Sequence, residues 1–498
     1  MRHAISYLSC ASHLAVCVLA AASYPPIPKD LTTPVQQRIA IIGPNAIAIG
    51  WNTYQKTAKP CVQYGTASDS LTLQACSTDS VTYPTSRTYA NSVTLSGLKP
   101  AATYYYKITS TNSTVDHFLS PRPAGDIGSF SLNAVIDLGV YGADGYTIAQ
   151  DKAKRDTIPS IDPSLNHTTI GRLANTINDY EFIVHPGDLA YADDWIERTK
   201  NLFDSTNAYA AILEQFYAQL SPIAGRKPYM VGPGNHEANC WEVPHLAGVC
   251  ANGQRNFTDY MNRFASLTPS AFPSTSTDDS ARVAANTANL LSNPPFWYSF
   301  EYGMLHFVMI DTETDFRSAP DGPGGSAGLD SGPFGGANQQ LAFLEADLQS
   351  VDRSVTPWVV VGGHRPWYTT GDGGCGPCQE AFEPLLYKYG VDLAIFGHVH
   401  NSQRFAPSVN GTADAAGLMN PKAPLYIVAG GAGNIEGLSE VGTRTANVAF
   451  AYDEDFSYAR VTFLDPNELR VQFIRSVTGE VLDESVLFKE HAERFVVQ

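Results

Sequence analysis

The chain has 498 residues, of which 44% are apolar and 11% aromatic, so we expect a globular protein of two or three domains. It carries 32 basic and 49 acidic residues, a formal net charge of −17 and a calculated pI near 5.1. This acidic balance, without any basic run, argues against nucleic acid and against anionic membranes as partners.

The first residues have the pattern of a secretory signal, which we predict over residues 1–22. Arg2 and His3 precede an apolar stretch of small residues, and the three alanines at 20–22 offer a cleavage site. A buried first helix is the alternative. No later segment approaches about 20 consecutive apolar residues, and the last residues do not resemble a hydrophobic anchor. We therefore expect a soluble, secreted protein, extracellular or associated with the cell wall.

Cysteine usage fits an oxidising compartment. Cys10 and Cys17 would leave with the signal, and the other six cysteines form three close pairs. Nearest-neighbour pairing is the simplest of 15 possible connectivities, and the others stay open. The expected bridges are Cys61–Cys76, Cys240–Cys250 and Cys375–Cys378. The last pair lies in CGPC, a sequence like a redox motif, but no thioredoxin-like unit surrounds it, so we expect a small structural loop.

Short N-glycosylation motifs also fit a secreted glycoprotein carrying N-linked glycans. Each motif is weak by itself, because three residues recur by chance. The sequons begin at Asn112, Asn166, Asn256 and Asn410.

Residues 24–122 have the pattern of an all-β sandwich. Short runs rich in β-branched and aromatic residues alternate with Pro, Gly, Asn and Ser at a spacing near ten residues. The run from Leu98 to Tyr106 resembles the tyrosine corner of a fibronectin type III domain, with Trp51 as a core partner. Because this region contains no cluster of titratable residues, we interpret it as structural.

After the linker PRPAGDIG, strands alternate with helices, which predicts a layered α/β domain. Apolar runs such as SLNAVIDLG, EFIVHPGD and VDLAIFGHVH predict strands, and AYAAILEQFYAQL and NQQLAFLEADLQSV predict helices. Near the C-terminus, SYARVTFLDPNELRVQFIRS predicts a hairpin around Asp465. Ligands of such sheets bind beyond the carboxyl ends of the strands.

Five strand ends carry metal-ligand residues next to glycine, which lets the backbone approach a ligand closely. A single such segment is usually a turn, but five in one chain indicate a binuclear metal site, in which one aspartate can bridge two ions. The segments are Asp137-Leu-Gly139, Gly187-Asp-Leu-Ala-Tyr191, Gly234-Asn-His-Glu237, Gly362-Gly-His-Arg-Pro366 and Gly397-His-Val-His400.

The order and identity of these residues resemble the metallophosphoesterase superfamily, and the tyrosine of GDLAY resembles purple acid phosphatases in particular. The match covers about residues 127–435, and the preceding sandwich is similar to the long plant and fungal form. It implies a calcineurin-like catalytic domain of two mixed β-sheets, sandwiched together and flanked by helices. Strands within 436–498 would complete this domain.

The resemblance also implies the cofactors. Fe(III) would occupy the first metal site, and a divalent Zn, Fe or Mn the second. The first site would use Asp137, Asp188, Tyr191 and His400, and the second Asp188, Asn235, His364 and His398. A hard phenolate suits a trivalent ion, which can lower the pKa of a tyrosine from about 10.

The implied enzyme is a secreted acid phosphatase. A hydroxide bound to the metals would attack small phosphate monoesters, release inorganic phosphate and serve broad substrates, with phytate as one candidate. Asn235 and His236 would bind the substrate, and His236 would protonate the leaving oxygen. We expect Glu237 to orient His236. Asp193 and its neighbour Asp194 are expected to face solvent or to be structural.

The substrate rim departs from the plant pattern. Plant members carry two further histidines shortly after the GH-x-P motif, whereas this chain has Thr369-Thr-Gly-Asp-Gly-Gly374. This leaves the general-acid duty more heavily on His236. Arg365 could bind substrate or support its loop. The glycine-rich segment 317–336 could be a mobile rim over the site or an inert insertion.

Two other functions remain open from sequence alone. A metallophosphodiesterase acting on nucleotides or sphingolipids is one, although such relatives generally lack the tyrosine and the sandwich. A metal-bearing binding glycoprotein without turnover is the other, and retention of all seven candidate ligands argues against it. The sequence does not indicate the oligomeric state.

Overall fold

In the computed structural model, the described residues are 25–110, 112–140, 168–194, 205–240, 250–269 and 272–491. The predicted signal at 1–22 and the sequon at Asn166 lie outside these ranges. Within them, every helix is too short or too polar to cross a lipid bilayer.

The N-terminal region is the predicted β-sandwich, made of two four-stranded sheets in the orders β1-β2-β6-β5 and β4-β3-β7-β8. Trp51 is buried in its core. The tyrosine corner is confirmed, because the Tyr104 hydroxyl accepts a hydrogen bond from Lys99 N at 3.0 Å. The strands are β1 Val35–Gly43, β2 Ala46–Thr53, β3 Cys61–Gly65, β4 Leu73–Cys76, β5 Ser80–Val81, β6 Tyr89–Leu95, β7 Thr103–Ile108 and β8 Asp116–Leu119.

The region that follows the sandwich contains two large mixed sheets. One has the order β11-β10-β9-β21-β22-β23, and the other β12-β13-β14-β15-β19-β16-β20, with β17-β18 as a separate hairpin. The strands are β9 Phe130–Ala134, β10 Phe182–Pro186, β11 Tyr229–Gly232, β12 Tyr298–Tyr302, β13 Leu305–Met309, β14 Trp358–Gly362, β15 Leu393–Phe396, β16 Ser402–Phe405, β17 Ser408–Val409, β18 Thr412–Ala413, β19 Leu425–Ala429, β20 Val448–Tyr452, β21 Ser457–Phe463, β22 Glu468–Arg475 and β23 Val481–Phe488.

Helices connect these strands, as the alternating pattern predicted. They are α1 Thr168–Asn175, α2 Ser205–Ala224, α3 Thr258–Phe264, α4 Asp279–Leu291, α5 Gln339–Ser350 and α6 Gly376–Lys388. The two helices predicted from sequence correspond to α2 and α5. The predicted hairpin around Asp465 is formed by β21 and β22, which are antiparallel and extend the first sheet.

Parallel pairing brings the functional strand ends to common edges. Strands β9, β10 and β11 are parallel in the first sheet, and β13, β14, β15 and β19 are parallel in the second. Their residues are almost entirely buried, as expected for parallel strands covered on both faces. The segments that follow β9, β10, β11, β14 and β15 therefore leave the sheets in a position to meet.

Disulfides join the neighbouring cysteines of each pair. Cys61 and Cys76 link the paired strands β3 and β4. The other two bridges are Cys240–Cys250 and Cys375–Cys378. Cys375 is the N-cap of α6, and its sulfur accepts the backbone N–H of Cys378 at 3.1 Å, so this CGPC segment starts a helix.

Candidate metal centre

The structure brings together all seven side chains that the sequence nominated as ligands. Four loops, which follow β9, β10, β14 and β15, carry six of them, and a short 3₁₀ helix after β11, Asn235–Glu237, carries the seventh. Four of the seven residues have a left-handed backbone conformation, which residues other than glycine rarely adopt. These φ values are +58° at Asp137, +54° at Asp188, +53° at Tyr191 and +65° at His398.

This backbone conformation is informative about function. Each such residue costs about 1–3 kcal/mol and persists only where the surrounding structure fixes it. Four of them within one cluster indicate that the loops are held in these conformations to aim the side chains, because ordinary turns would use glycine.

The first group of side chains surrounds the Tyr191 hydroxyl. Its oxygen lies 3.1 Å from Asp137 Oδ1, 3.3 Å from Asp188 Oδ2 and 2.9 Å from His400 Nε2. All four side chains are buried. Asp137, Asp188 and His400 each offer one atom within a common 4.8 Å, which is a suitable spacing for a metal ion.

The second group shares Asp188 with the first. His364 Nε2 lies 2.9 Å from Asp188 Oδ2 and 3.1 Å from Asn235 Oδ1. Asp188, His364 and His398 also place one atom each within a common 4.8 Å. A single carboxylate therefore lies between two sets of possible ligands, as a bridging aspartate must.

Small glycines allow this close approach. A methyl group at Gly234 would overlap Asp188 Oδ1, and one at Gly397 would lie 2.6 Å from Asp137 Oδ2. A methyl group at Gly187, which has a φ of +93°, would lie 2.7 Å from the His364 ring. These positions therefore admit only glycine without displacing a candidate ligand.

The donor set fits a pair of cations. Burial raises the pKa of Asp137 well above its ordinary value, and the neighbouring Asp188 carboxylate adds to this shift. Burial likewise raises the pKa of Tyr191, together with Asp137 and Asp188. A phenolate flanked by two carboxylates away from water requires positive charge to neutralise it.

The histidine His398 also fits a ligand role. Desolvation first, and the guanidinium of Arg365 second, hold the pKa of His398 well below its usual value. Both effects favour the neutral imidazole, which is the form that binds metals.

The ring of His236 is held by the side chain of Asp193. Its Nδ1 lies 2.9 and 3.0 Å from the two carboxylate oxygens of Asp193, and both side chains are buried. Its ring lies 4.1 Å from the Tyr191 ring, between centroids, and its backbone N–H donates to Asp188 Oδ1. Of the two expectations for Asp193 and Asp194, that they face solvent or that they are structural, the first is wrong, since both are buried.

Glu237 was expected to orient His236, but its carboxylate binds backbone groups and Asp193 holds the His236 ring. Its carboxylate accepts hydrogen bonds from three backbone N–H groups, those of Asp188, Leu189 and Gly234, at 2.8–3.0 Å. It therefore fixes the loop that carries Asp188 against the loop that carries Asn235. No sequence signal separated these roles, because Glu237 and Asp193 are both simply acidic residues beside a motif.

Arg365 links His398 to two buried carboxylates, those of Glu313 and Asp321. Its guanidinium donates to Glu313 Oε2 at 2.6 Å and to Asp321 Oδ1 at 3.1 Å, and a third nitrogen lies 2.8 Å from His398 Nε2. Asp321 belongs to the glycine-rich segment 317–336 and is fully buried. This segment is therefore not an inert insertion, because it contributes to the surroundings of a candidate ligand.

An open cavity of about 470 Å³ leads to the candidate ligands. It is large enough for a phosphate ester with a small leaving group. Its lining residues are Asn235, His236, Asp372, Gly373, His398, Val399, His400, Glu436, Gly437, Leu438 and Ser439.

Family models match three successive regions of the chain. Residues 34–122 match the purple acid phosphatase N-terminal domain, and residues 162–402 match calcineurin-like phosphoesterases. Residues 423–484 match the model described as iron/zinc purple acid phosphatase-like protein C. The order of the three models is that of the sandwich, the two-sheet region and the final strands.

Individual proteins agree with these models. Acid phosphatase A of Cryphonectria parasitica is 60% identical, over 97% of both chains. An acid phosphatase of Aspergillus ficuum is 31% identical, over 80% of this chain and 76% of that one. The fold matches purple acid phosphatase PPD1 from yellow lupin seeds with a TM-score of 0.65 and 23% identity, over 92% of this chain and 75% of that one. The chain therefore belongs to the purple acid phosphatase family of binuclear metallophosphoesterases.

Proposed function

We propose that this protein hydrolyses phosphate monoesters at acidic pH at an Fe(III)–M(II) centre, with M being Zn, Fe or Mn. The observation that supports this most strongly is the position of Asp188 between two candidate ligand groups. The bound cations would neutralise the phosphoryl oxygens and acidify the attacking water.

The two groups divide the ligands by charge. Fe(III) would be held by Asp137, Asp188, Tyr191 and His400, which supply the anionic oxygens. The divalent ion would be held by Asp188, Asn235, His364 and His398, a set with fewer negative charges. Hard anionic donors favour the trivalent ion, and imidazoles with a neutral amide favour Zn or Fe in the divalent state.

We assign His236 as the general acid for the leaving alcohol, and Asn235 and His236 as substrate contacts. Asp193 accepts the Nδ1 proton of His236, which leaves Nε2 to face the metal site, 3.9 Å from Asp188 Oδ2. The buried carboxylate also stabilises the protonated imidazole. The proton on Nε2 can then pass to the departing oxygen as the phosphorus–oxygen bond breaks.

Secretion, glycosylation and a broad substrate range including phytate are also part of this proposal. The sequons at Asn112, Asn256 and Asn410 lie in the described residues, and Asn256 is exposed. Three disulfides are typical of proteins that fold outside the cytosol. Small phosphorylated compounds and inorganic phosphate are the expected ligands.

A visible spectrum with metal analysis tests the iron assignment. The purified protein should show a broad purple to pink charge-transfer band, and Tyr191→Phe should bleach or shift it because the phenolate is lost. An unchanged band in this variant would remove Tyr191 from the iron site. Turnover of p-nitrophenyl phosphate far above that of its bis ester supports a monoesterase, and the reverse would support a phosphodiesterase.

A further inference from the structure

Asp372 lies at the rim of the site in a turn that packing holds in place. Gly373 has a φ of +96°, and a methyl group there would lie 2.9 Å from Val399 Cγ2 and 3.7 Å from His398 Cδ2. On the other side, a methyl group at Gly371 would lie 3.8 Å from Gly442. The turn therefore packs between the loop after β15 and the segment around Gly442. Asp372 is exposed and lines the cavity.

The rim of this cavity is acidic. Asp372 and Glu436 are its two carboxylates, and Glu436 Oε2 lies 3.6 Å from His400 Nδ1. Glu436 is half-buried beside the candidate ligand His400, whereas Asp372 is exposed to solvent. Neither lysine nor arginine is found among the described residues that line the cavity. The neighbouring Arg365 guanidinium is occupied by the buried carboxylates Glu313 and Asp321.

The two parts of a bound monoester would lie in different parts of this cavity. The phosphate must lie against Asn235, His398 and His400, where the candidate ligands converge. The leaving alcohol then extends towards the opening and the rim carboxylates. From this geometry we infer, on the basis of the proposed function, that Asp372 selects monoesters whose leaving alcohol carries a positive charge, such as phosphorylated amino alcohols.

The size of the expected effect follows from Coulomb attraction near a wet surface. Two unit charges a few ångströms apart that are both exposed to water change affinity by about three- to tenfold, because water screens their attraction. The same field repels leaving groups with additional phosphates, so polyanionic phytate should rank below neutral monoesters. Because Asp372 is exposed, salt should reduce the discrimination.

Isosteric substrate pairs measure this selectivity in the metal-loaded protein. Phosphoethanolamine and propyl phosphate differ only by an ammonium in place of a methyl group. At pH 6 and low ionic strength, kcat/KM should favour phosphoethanolamine by about three- to tenfold. Asp372→Asn should reduce this ratio by about threefold while keeping hydrolysis of propyl phosphate. Asp69→Asn, an exposed aspartate in the sandwich, removes the same charge and should leave the ratio unchanged.

Binding of non-hydrolysable analogues gives a readout independent of turnover. Calorimetry with 2-aminoethylphosphonate and propylphosphonate should show the same preference and the same loss in Asp372→Asn. Equal affinities for both phosphonates in the wild type, or a ratio unchanged by Asp372→Asn, would overturn the inference. Binding selectivity without hydrolysis of any ester would instead refute the proposed function and leave the rim selectivity intact.

Discussion

The neighbouring rings of Tyr191 and His236 have different proposed roles, candidate metal ligand and candidate acid, because they contact different carboxylates. The Tyr191 hydroxyl faces Asp137 and Asp188, whereas the His236 ring is anchored by Asp193. Asp193 follows Tyr191 by two residues, so one turn supplies both a candidate ligand and the partner of the candidate acid. The candidate proton donor is thereby fixed relative to the candidate ligands by local chain geometry.

His236→Ala should reduce kcat most for esters with poor leaving groups. A general acid contributes about 10²- to 10⁴-fold when the alcohol must be protonated, and much less when the leaving group is already a stable anion. We therefore expect a large loss with propyl phosphate and a small loss with p-nitrophenyl phosphate, measured as kcat at saturating substrate.

Asp193→Asn serves as the control for this assignment. If Asp193 acts through His236, Asp193→Asn should lower kcat for propyl phosphate in the wild-type background. In the His236→Ala background it should have little additional effect on kcat. Equal losses for both leaving groups, in either variant, would contradict the role of His236 as the acid.

At the scale of elements, strand ends were predictable and loop partners were not. Apolar runs that stop at glycine and a polar residue identify β9, β10, β11, β14 and β15. Strands buried on both faces are continuous apolar runs, so their ends are easy to recognise. Residues such as Asp193 and Glu237 gave no comparable signal. Asp193 contacts His236 across 43 residues, and Glu237 contacts Asp188 N across 49 residues, so their roles depend on how loops pack.

A buried ion pair joins the second sheet to α5. His306 on β13 lies 2.8 Å from Asp347 on α5, and Glu301 on β12 lies 3.9 Å from the other ring nitrogen. Burial alone would lower the pKa of His306, but Asp347 and Glu301 raise it to about 9. The protonated imidazole therefore stabilises the packing of this helix against the sheet.

His306→Gln should lower thermal stability in a pH-dependent way. Since the folded pKa is raised above the unfolded value of about 6.5, the stabilisation is complete below pH 6.5 and is lost as pH rises through about 9. It amounts to at most about 3 kcal/mol. The difference in Tm between wild type and variant should be large at pH 6 and small at pH 10. A difference that grows with pH would contradict this assignment.

At the scale of the whole molecule, polar contacts dock the sandwich onto the catalytic region. Glu214 on α2 is buried and accepts two hydrogen bonds from Arg87, at 2.7 and 2.8 Å, and one from Tyr54 at 2.9 Å. The Tyr106 hydroxyl donates to Gly225 O just beyond the same helix. The sequence indicated the sandwich and the two-sheet domain, but not this interface, because its polar residues lie more than 100 positions apart.

Glu214→Ala should weaken this docking and lower the free energy of unfolding by about 1–3 kcal/mol, because Arg87 and Tyr54 lose their charged partner. Urea unfolding monitored by tryptophan fluorescence measures the loss. Activity at 25 °C should persist, since the residue is outside the metal site. Glu468→Ala, which removes an exposed glutamate at the start of β22, should have little effect. Equal stabilities of the two variants would argue against Glu214 as a docking contact.

In the proposed site one carboxylate, that of Asp188, joins two metal ions, and metal analysis of Asp188→Ala tests this bridging role most directly. The wild-type protein should have phosphatase activity and contain two metal ions per chain, either one iron with one Zn or Mn, or two irons. The variant should lose activity together with the paired ions, while circular dichroism shows the same secondary structure. A folded Asp188→Ala protein that keeps both metals and full turnover would contradict the account.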